Sequence, residues 1–299
     1  MQYDCIIIGG GIAGLQASIQ LGRYAHRVLI LDAGSGRSSL CRRYQNILGY
    51  ADGVSGRELR EKGRVQAERL GVEMVSATVA DVEKQDSSFI VKDDRENVYS
   101  GKRLLFATGV QDNLPSFENL YPCLGMSLYI CPDCDGYEVT DKKTIVMGSG
   151  NVGANMALTL TYWTDELVYI NDEGQEIDED IYEKLQKHHI HIIDEPIAEL
   201  LIEGAQFKGV QLTGGGQVTG EKGFFAYGGN KVKADLAKTV GVETHQNNHI
   251  VTDPRTKETS EKHVWAAGDV AAHSELVTIA MGEGSQAAIW IHKSLLGDQ

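Results

Sequence analysis

Two cysteines separated by two residues, in Cys131-Pro132-Asp133-Cys134, are followed at once by Asp135-Gly136-Tyr137-Glu138. Such a pair can close a small disulfide loop or open to a dithiol, so the stretch reads as a redox switch. At a helix N-terminus, the dipole and unsatisfied N–H groups would lower one thiol pKa and make that sulfur the attacking thiolate. Asp135 is then placed to hold or deliver the proton that thiol–disulfide exchange moves. The same spacing supplies half of a structural zinc site, which calls for a second Cys or His pair. Cys5, Cys41 and Cys123 stand alone, and Lys187-His188-His189-Ile190-His191 leads into an apolar alternation, so zinc is disfavoured and no metal is expected.

A redox pair needs an electron carrier, and two glycine turns have the form that holds one. Cys5-Ile6-Ile7-Ile8 is an apolar run of the kind buried on both faces of a parallel sheet. It leads into Gly9-Gly10-Gly11-Ile12-Ala13-Gly14, which fits GxGxxG, and residues 15–24 continue at helical spacing. Glycines keep that turn tight and let backbone approach a pyrophosphate, whose charge rests on the helix N-terminus. The strand at residues 27–31 ends in Asp32, where a dinucleotide fold places the carboxylate that accepts ribose hydroxyls. Strand, glycines, helix, strand and acid in this order mark a dinucleotide-binding unit.

Thr144-Ile145-Val146-Met147 leads into Gly148-Ser149-Gly150-Asn151-Val152-Gly153, a second GxGxxG, so the chain contains an internal duplication. Counting the same distance from the last glycine, Asp32 corresponds to Asn171, and Asp172 lies one beyond. A 2′-phosphate needs basic partners there, whereas a free ribose diol is served by an acid. Gly148, Gly150, Gly153 and Asp172 are therefore candidate nucleotide contacts, favouring NADH over NADPH.

The 299 residues suffice for two ordinary domains, and 42 acids against 28 Lys plus Arg, a net charge of −14, argue against a nucleic-acid groove or an anionic membrane surface. One CxxC among solitary thiols fits a reducing compartment, and no apolar run has signal or membrane-span length, so a cytoplasmic address is expected. Between the motifs, a helix is expected over residues 55–70, and meander strands over 72–81 and 88–94. A buried strand at residues 103–106 runs into Ala107-Thr108-Gly109, where small residues let backbone approach whatever the first motif holds. In the second unit a helix over residues 154–163, a strand over 166–170 and a helix over 177–187 precede several alternating runs. A short strand is expected at 249–252. His263-Val264-Trp265-Ala266-Ala267 runs into Gly268-Asp269-Val270, followed by a long helix over 275–296. That last turn brings backbone N–H groups and a carboxylate to a cofactor, or is an ordinary turn with an N-cap acid.

Taken together, GGGIAG near the N-terminus, ATG at Ala107-Thr108-Gly109, CPDCDG before a second GxGxxG, and AAGDV at residues 266–270 resemble the low-molecular-weight thioredoxin reductase family of flavoproteins over essentially the whole chain. The resemblance implies an α/β fold of two Rossmann-like, three-layer dinucleotide-binding domains, the second inserted into the first. The FAD domain would take residues 1–116 and 246–299, and the inserted pyridine-nucleotide-type domain, carrying the CxxC, residues 117–245. It implies a homodimer that holds FAD through Gly9, Gly11, Gly14, Asp32, Asn46, Thr108, Gly109, Gly268 and Asp269. Cys134 would be the sulfur next to the flavin, Cys131 the one that attacks a protein disulfide, and Asp135 the acid.

The family's His-Arg-Arg triplet that grips the NADP phosphate falls on Asn171-Asp172-Glu173, and its later Arg falls on Ile177. Its Arg-Gln pair at the start of the last helix is replaced by Glu275-Leu276, and Asp133 puts a charge inside the CxxC loop. The expectation is an FAD-dependent thiol–disulfide oxidoreductase whose donor is not NADPH. A thioredoxin-like protein or a small-molecule dithiol or disulfide is the expected partner. NADH, ferredoxin as donor, and oxygen as acceptor in a dithiol oxidase remain as three versions. A non-catalytic FAD-binding redox sensor is the alternative from another class, disfavoured because a sensor needs no acid beside its dithiol.

Overall fold

Alternate residues of the strand Gln2–Ile8 (β1) enter two different cores, Ile6 and Ile8 facing one and Cys5 and Ile7 the other. All four are essentially closed to solvent, as a strand in a parallel sheet covered on both faces requires. The structure is a computed structural model that describes residues 2–117, 119–271 and 274–297. After β1 come the helix Ile12–Arg23 (α1), Val28–Asp32 (β2), the short helix Arg37–Leu40 (α2) and Gly56–Arg69 (α3). Glu73–Ser76 (β3), Val79–Lys84 (β4), Phe89–Asp93 (β5), Val98–Phe106 (β6) and Val110–Gln111 (β7) follow.

Strands β3, β2, β1 and β6 lie side by side and parallel, and β4, β5 and β6 form an antiparallel meander. The single strand expected over residues 72–81 is thus two. The chain breaks at Ala77-Thr78, where Ala77 N–H donates to Asp32 O and Thr78 O accepts from Asp94 N–H. One half joins β2 in parallel and the other pairs with β5.

The second glycine motif lies in an α/β unit of its own. Its elements are Leu128–Tyr129 (β8), Pro132–Asp135 (α4), Thr144–Gly148 (β9), Gly150–Leu160 (α5), Leu167–Asn171 (β10) and Glu179–Lys187 (α6). His191–Ile193 (β11), Ile197–Glu203 (β12), Gln206–Leu212 (β13), Gln217–Thr219 (β14) and Lys222–Ala226 (β15) complete it. The parallel sheet runs β11-β10-β9-β15-β8, and Ile145 and Met147 of β9 face one core while Val146 faces the other. The antiparallel sheet β12-β13-β14 supplies Leu200, Phe207 and Val210 to the first of these cores.

Lys231–Val232 (β16), Asp235–Thr239 (α7), Val264–Ala266 (β17) and Val277–Leu296 (α8) return to the first unit. There β16 pairs with β7, β17 extends the parallel sheet on β6, and α8 packs along α1. Residues 249–252 make isolated bridges rather than the expected strand, Ile250 meeting Thr244 and Ala271, and Thr252 meeting Thr259. The compact units are Met1–Ser39, Gly56–Gln111 and Lys231–Gln299 on one side, and Leu40–Ser55 with Asp112–Asn230 on the other. The last crossing therefore falls at Lys231 rather than residue 246, because Val232, Ala234, Ala237, Val240 and Val242 are buried in a core of the first unit. Residues 40–55 join the second unit, where Leu40 packs in its core and Arg42 N–H donates to Leu124 O.

Candidate functional site

Parallel strands bring the first set of candidate residues to one edge. Ile8 is in register with Leu31 and with Phe106, and Phe106 with Ala266, so β1, β2, β6 and β17 end at one level. Gly9, Asp32, Thr108, Gly109, Gly268 and Asp269 all lie at or just past these carboxyl ends, where open α/β sheets place their ligands. A Cβ on Gly9 would lie 2.3 Å from Ala107 O, at φ +107°, so only glycine lets the turn pass. At Gly11 a Cβ would meet nothing within 4 Å: the first residue ahead of α1 faces open space. Asp32 receives Arg60 Nη2 at 2.7 Å and the Gly34 N–H at 3.2 Å, and its carboxylate retains lone pairs for further donors. Asp269 is bound by Arg37 at 3.1 Å, and Arg37 also pairs with Glu275, the residue standing where the family has Arg. His249 lies 3.5 Å from Glu275 through Nε2, and its Nδ1 is buried with no hydrogen-bond partner among the described residues. An open helix start, a tight glycine turn, an acid at the second strand end and an unmet buried nitrogen suit a dinucleotide such as FAD. Thr108 serves the backbone instead, donating to Lys233 O at 2.6 Å, and Asn46 is exposed and belongs to the other unit.

In the second unit, Cys131 and Cys134 are joined as a disulfide with Cα atoms 5.3 Å apart. Cys131 is the extended N-cap of α4, with Pro132 at the first helical position, where a missing N–H costs nothing. The Cys134 N–H donates to Cys131 Sγ at 3.2 Å and the Asp135 N–H to Cys131 O at 3.0 Å. Because α4 is a single turn, its dipole offers a thiolate less than a long helix would. Gly136 packs on Trp163, whose ring would lie 2.5 Å from a Cβ, which holds the turn after the second cysteine against α5's end. Asp133 is exposed, whereas burial pushes the Asp135 carboxyl up to about 7, helped by the nearby Glu138 charge and opposed by Lys222.

Sequence reasoning overlooked Lys222, Tyr129 and Glu138. Lys222, at the start of β15, donates to Tyr129 Oη at 2.8 Å and to Met126 O at 2.9 Å. Burial lowers its pKa and raises that of Tyr129. Only the pairing of β15 with β8 brings this ammonium to the dithiol turn, and residues 93 apart in sequence carry no local signal of that. Cys41 also lies in this unit, its sulfur 2.8 Å from where a Gly125 Cβ would be. Burial pushes its thiol up to about 12, with a smaller push from Asp135, so it is a neutral thiol. Burial likewise raises Cys5 and Cys123. Among the described residues no group of three or more His, Cys, Asp and Glu has a metal-holding arrangement, and no helix is long and apolar enough to cross a membrane.

The second glycine motif repeats the first in register, Gly148 pairing with Asn171 on β10 and with Ala226 on β15. Asn171 is buried; its Oδ1 accepts the Gly150 N–H at 2.9 Å, and its Nδ2 donates to Gln175 O and to Asp194 Oδ1. Asp172 accepts from Tyr227 Oη at 2.6 Å and from the Ile197 N–H at 2.5 Å. The predicted acceptor Asp172, and Asn171 at the place matching Asp32, thus hold the chain itself.

A sequence profile described as pyridine nucleotide-disulphide oxidoreductase matches residues 3–284. The chain is similar to the thioredoxin reductase of Rickettsia felis, at 27% identity over 97% of both chains. It superposes on the crystal structure of HlmI with a TM-score of 0.88 at 30% identity, covering 99% of this chain and 93% of that one. The thioredoxin reductase of Streptococcus pyogenes shares the fold, with a TM-score of 0.88 at 23% identity over 100% and 99% of the two chains.

Proposed function

The chain belongs to the pyridine nucleotide-disulphide oxidoreductase family, and from that premise we propose that it is a thioredoxin reductase-like flavoenzyme working through Cys131 and Cys134. When bound, FAD would supply the redox group that takes the two electrons from the cysteine pair or returns them to it. Gly9, Gly11 and Gly14 would admit its pyrophosphate to the start of α1, with Asp32 for a ribose and the Gly268-Asp269 turn for the remainder. At the dithiol, an external thiolate attacks Cys131 Sγ, the Cys131–Cys134 bond breaks, and Cys134 leaves as a thiolate. Asp135 donates its proton to that sulfur. The second external thiol gives its proton to the Asp135 carboxylate and attacks the substrate sulfur bonded to Cys131, which leaves as a thiolate, so the substrate is oxidised to a disulfide and the enzyme pair is reduced by the same two electrons. Run backwards, the steps reduce an external disulfide.

The observation that carries this reading is the Asp135 carboxyl, pushed up to about 7 directly beside the bonded pair. An acid with that value holds its proton in about half of the molecules at neutral pH and can both give and take it. The external substrate we propose is a thioredoxin-like protein or a small-molecule dithiol, and the setting a reducing cytoplasm with the chain as a homodimer. Asn171-Asp172-Glu173 contains no cation for a 2′-phosphate, which speaks against NADPH.

The test is an anaerobic titration of the yellow protein with NADH, NADPH, reduced ferredoxin and small dithiols in turn, following flavin absorbance, with peroxide measured after air is admitted. Bleaching by a dithiol, lost in Cys134→Ser although flavin stays bound, is the expected result. Full dithiol turnover in that variant would overturn the assignment.

A further inference from the structure

The two glycine turns of this chain are built on the same plan and end differently. At their first glycines the match is close: a Cβ on Gly9 would lie 2.3 Å from Ala107 O, and one on Gly148 would lie 2.4 Å from Ala226 O. Each strand therefore passes its sheet neighbour in the same way and turns into its helix at the same level. At the second glycine they diverge. Nothing lies within 4 Å of a Cβ on Gly11, whereas a Cβ on Gly150 would lie 3.0 Å from Glu176 O and 3.1 Å from Gln175 Cβ.

We infer that residues 171–178 close the second glycine turn from within, so that it binds no nicotinamide nucleotide. The first amide that a pyrophosphate would meet at the start of α5 is already taken, because the Gly150 N–H donates to Asn171 Oδ1 at 2.9 Å. The other end of that carboxamide holds the covering segment down, through Gln175 O at 2.8 Å, and is itself fixed by Asp194 at 2.7 Å. A second tie closes the far side, where the Asp178 N–H donates to Asn151 Oδ1 at 2.8 Å. Tyr169 Oη braces the turn from below, donating to Gly150 O at 2.8 Å. Asp172, the residue placed to receive a ribose, instead fastens the start of the segment to Tyr227 and to Ile197 N–H. Among the described side chains of this turn, the buried polar atom left unmet is Ser149 Oγ, and at 4% exposure the residue is not presented to a solute.

A nucleotide entering here would have to break the Asn171 bonds and lift the backbone at residues 175–176, and Asn171-Asp172-Glu173 offers a phosphate no cation in exchange. The first turn, by contrast, is open at the equivalent place. The chain has kept one dinucleotide site and converted the other into a structural corner, and the second partner of its electron transfer docks elsewhere.

Isothermal titration of the flavin-loaded protein with NADH, NADPH and ADP-ribose, combined with amide hydrogen exchange, tests this. Bound flavin blocks the first turn, so any heat reports the remainder of the protein. The expected result is no saturable binding up to about 1 mM nucleotide, with exchange at residues 148–153 unchanged by any of the three. Saturable binding in the micromolar range that slows exchange at residues 148–153 overturns the inference. Saturable binding that leaves those amides unchanged puts the nucleotide elsewhere and upholds the closed turn. The dithiol reading stands or falls separately, on turnover in Cys134→Ser.

Discussion

Replacing Asp135 by Asn removes one charge and keeps nearly the same shape. Burial, with the Glu138 charge behind it, moves this carboxyl from an ordinary 3.8 to about 7. That shift of about 3 units makes charging Asp135 in the folded chain less favourable than in the unfolded one by at most about 4 kcal/mol. The folded value is the higher, so the folded chain keeps a proton that the unfolded chain gives up between about pH 4 and 7. The contribution to stability is complete below 3.8 and lost as pH rises through 7, at about 1.4 kcal/mol per pH unit, levelling off above. Asparagine has no such slope. Urea unfolding of the flavin-loaded protein, wild type beside Asp135→Asn, measures the difference while every other titrating group cancels. The advantage of the variant should grow by about 2–3 kcal/mol between about pH 5 and 7 and then flatten. The pH profile of dithiol turnover should lose its inflection near neutrality in the same variant. A stability difference constant with pH refutes the argument, since the carboxyl would then titrate alike in both states.

Gly9→Ala sets a methyl 2.3 Å from Ala107 O at φ +107° and should cost about 2–4 kcal/mol in strain and displaced backbone. Flavin content after purification and the melting temperature are the readouts, and unchanged values for both would contradict the turn geometry. Arg103 is fully buried and donates to Ser294 Oγ at 2.7 Å and Ser294 O at 2.9 Å, near the C-terminal end of α8. Arg103→Met should lower unfolding free energy by about 2–4 kcal/mol, and a loss under about 1 kcal/mol would mean those groups rehydrate. His26 and His292 share a hydrogen bond of 2.8 Å that needs one ring to accept, and burial holds His26 below its usual 6.5. Because the folded value is the lower, the stability it lends is present above 6.5 and lost as pH falls through that lowered value. Thermal melts at about pH 5 and 7 should therefore show a smaller acid loss in His26→Gln than in wild type, and equal losses would remove the histidine pair from the account.

What the sequence disclosed was local. Gly9, Gly11 and Asp32 announce a dinucleotide turn because strand, glycine and helix follow one another within one stretch of chain. The CxxC and its acid are contiguous for the same reason. The long helix at the C-terminal end was legible from its periodicity to within two residues of its start, observed at Val277. Tertiary pairing hid the remainder. The break at Ala77-Thr78 is set by a carbonyl on β2, and nothing in an unbroken β-rich run marks it. Asn171 fell at the acid's place by counting, but its role depends on Gln175 and Asp194 lying within reach, which only the folded turn decides. Residues 40–55 look like a loop of the first unit in sequence and belong to the second through contacts with residues past 110.

The late arrival of β17 and α8 has a consequence for how the protein is made. Every strand of the β11-β10-β9-β15-β8 sheet lies within residues 128–226, so a ribosome has released that sheet whole before Lys231 emerges. The first unit, whose β1 is made at once, must wait for Val264–Ala266 to pair with Leu104, Leu105 and Phe106 at the end of β6 and for α8 to cover α1. Ile7, Leu105 and Ala17 then stay without their last neighbours, such as Trp265 and Ala287, for most of translation. The nascent chain therefore carries its first-made apolar surface uncovered the longest, the circumstance in which holding chaperones matter most.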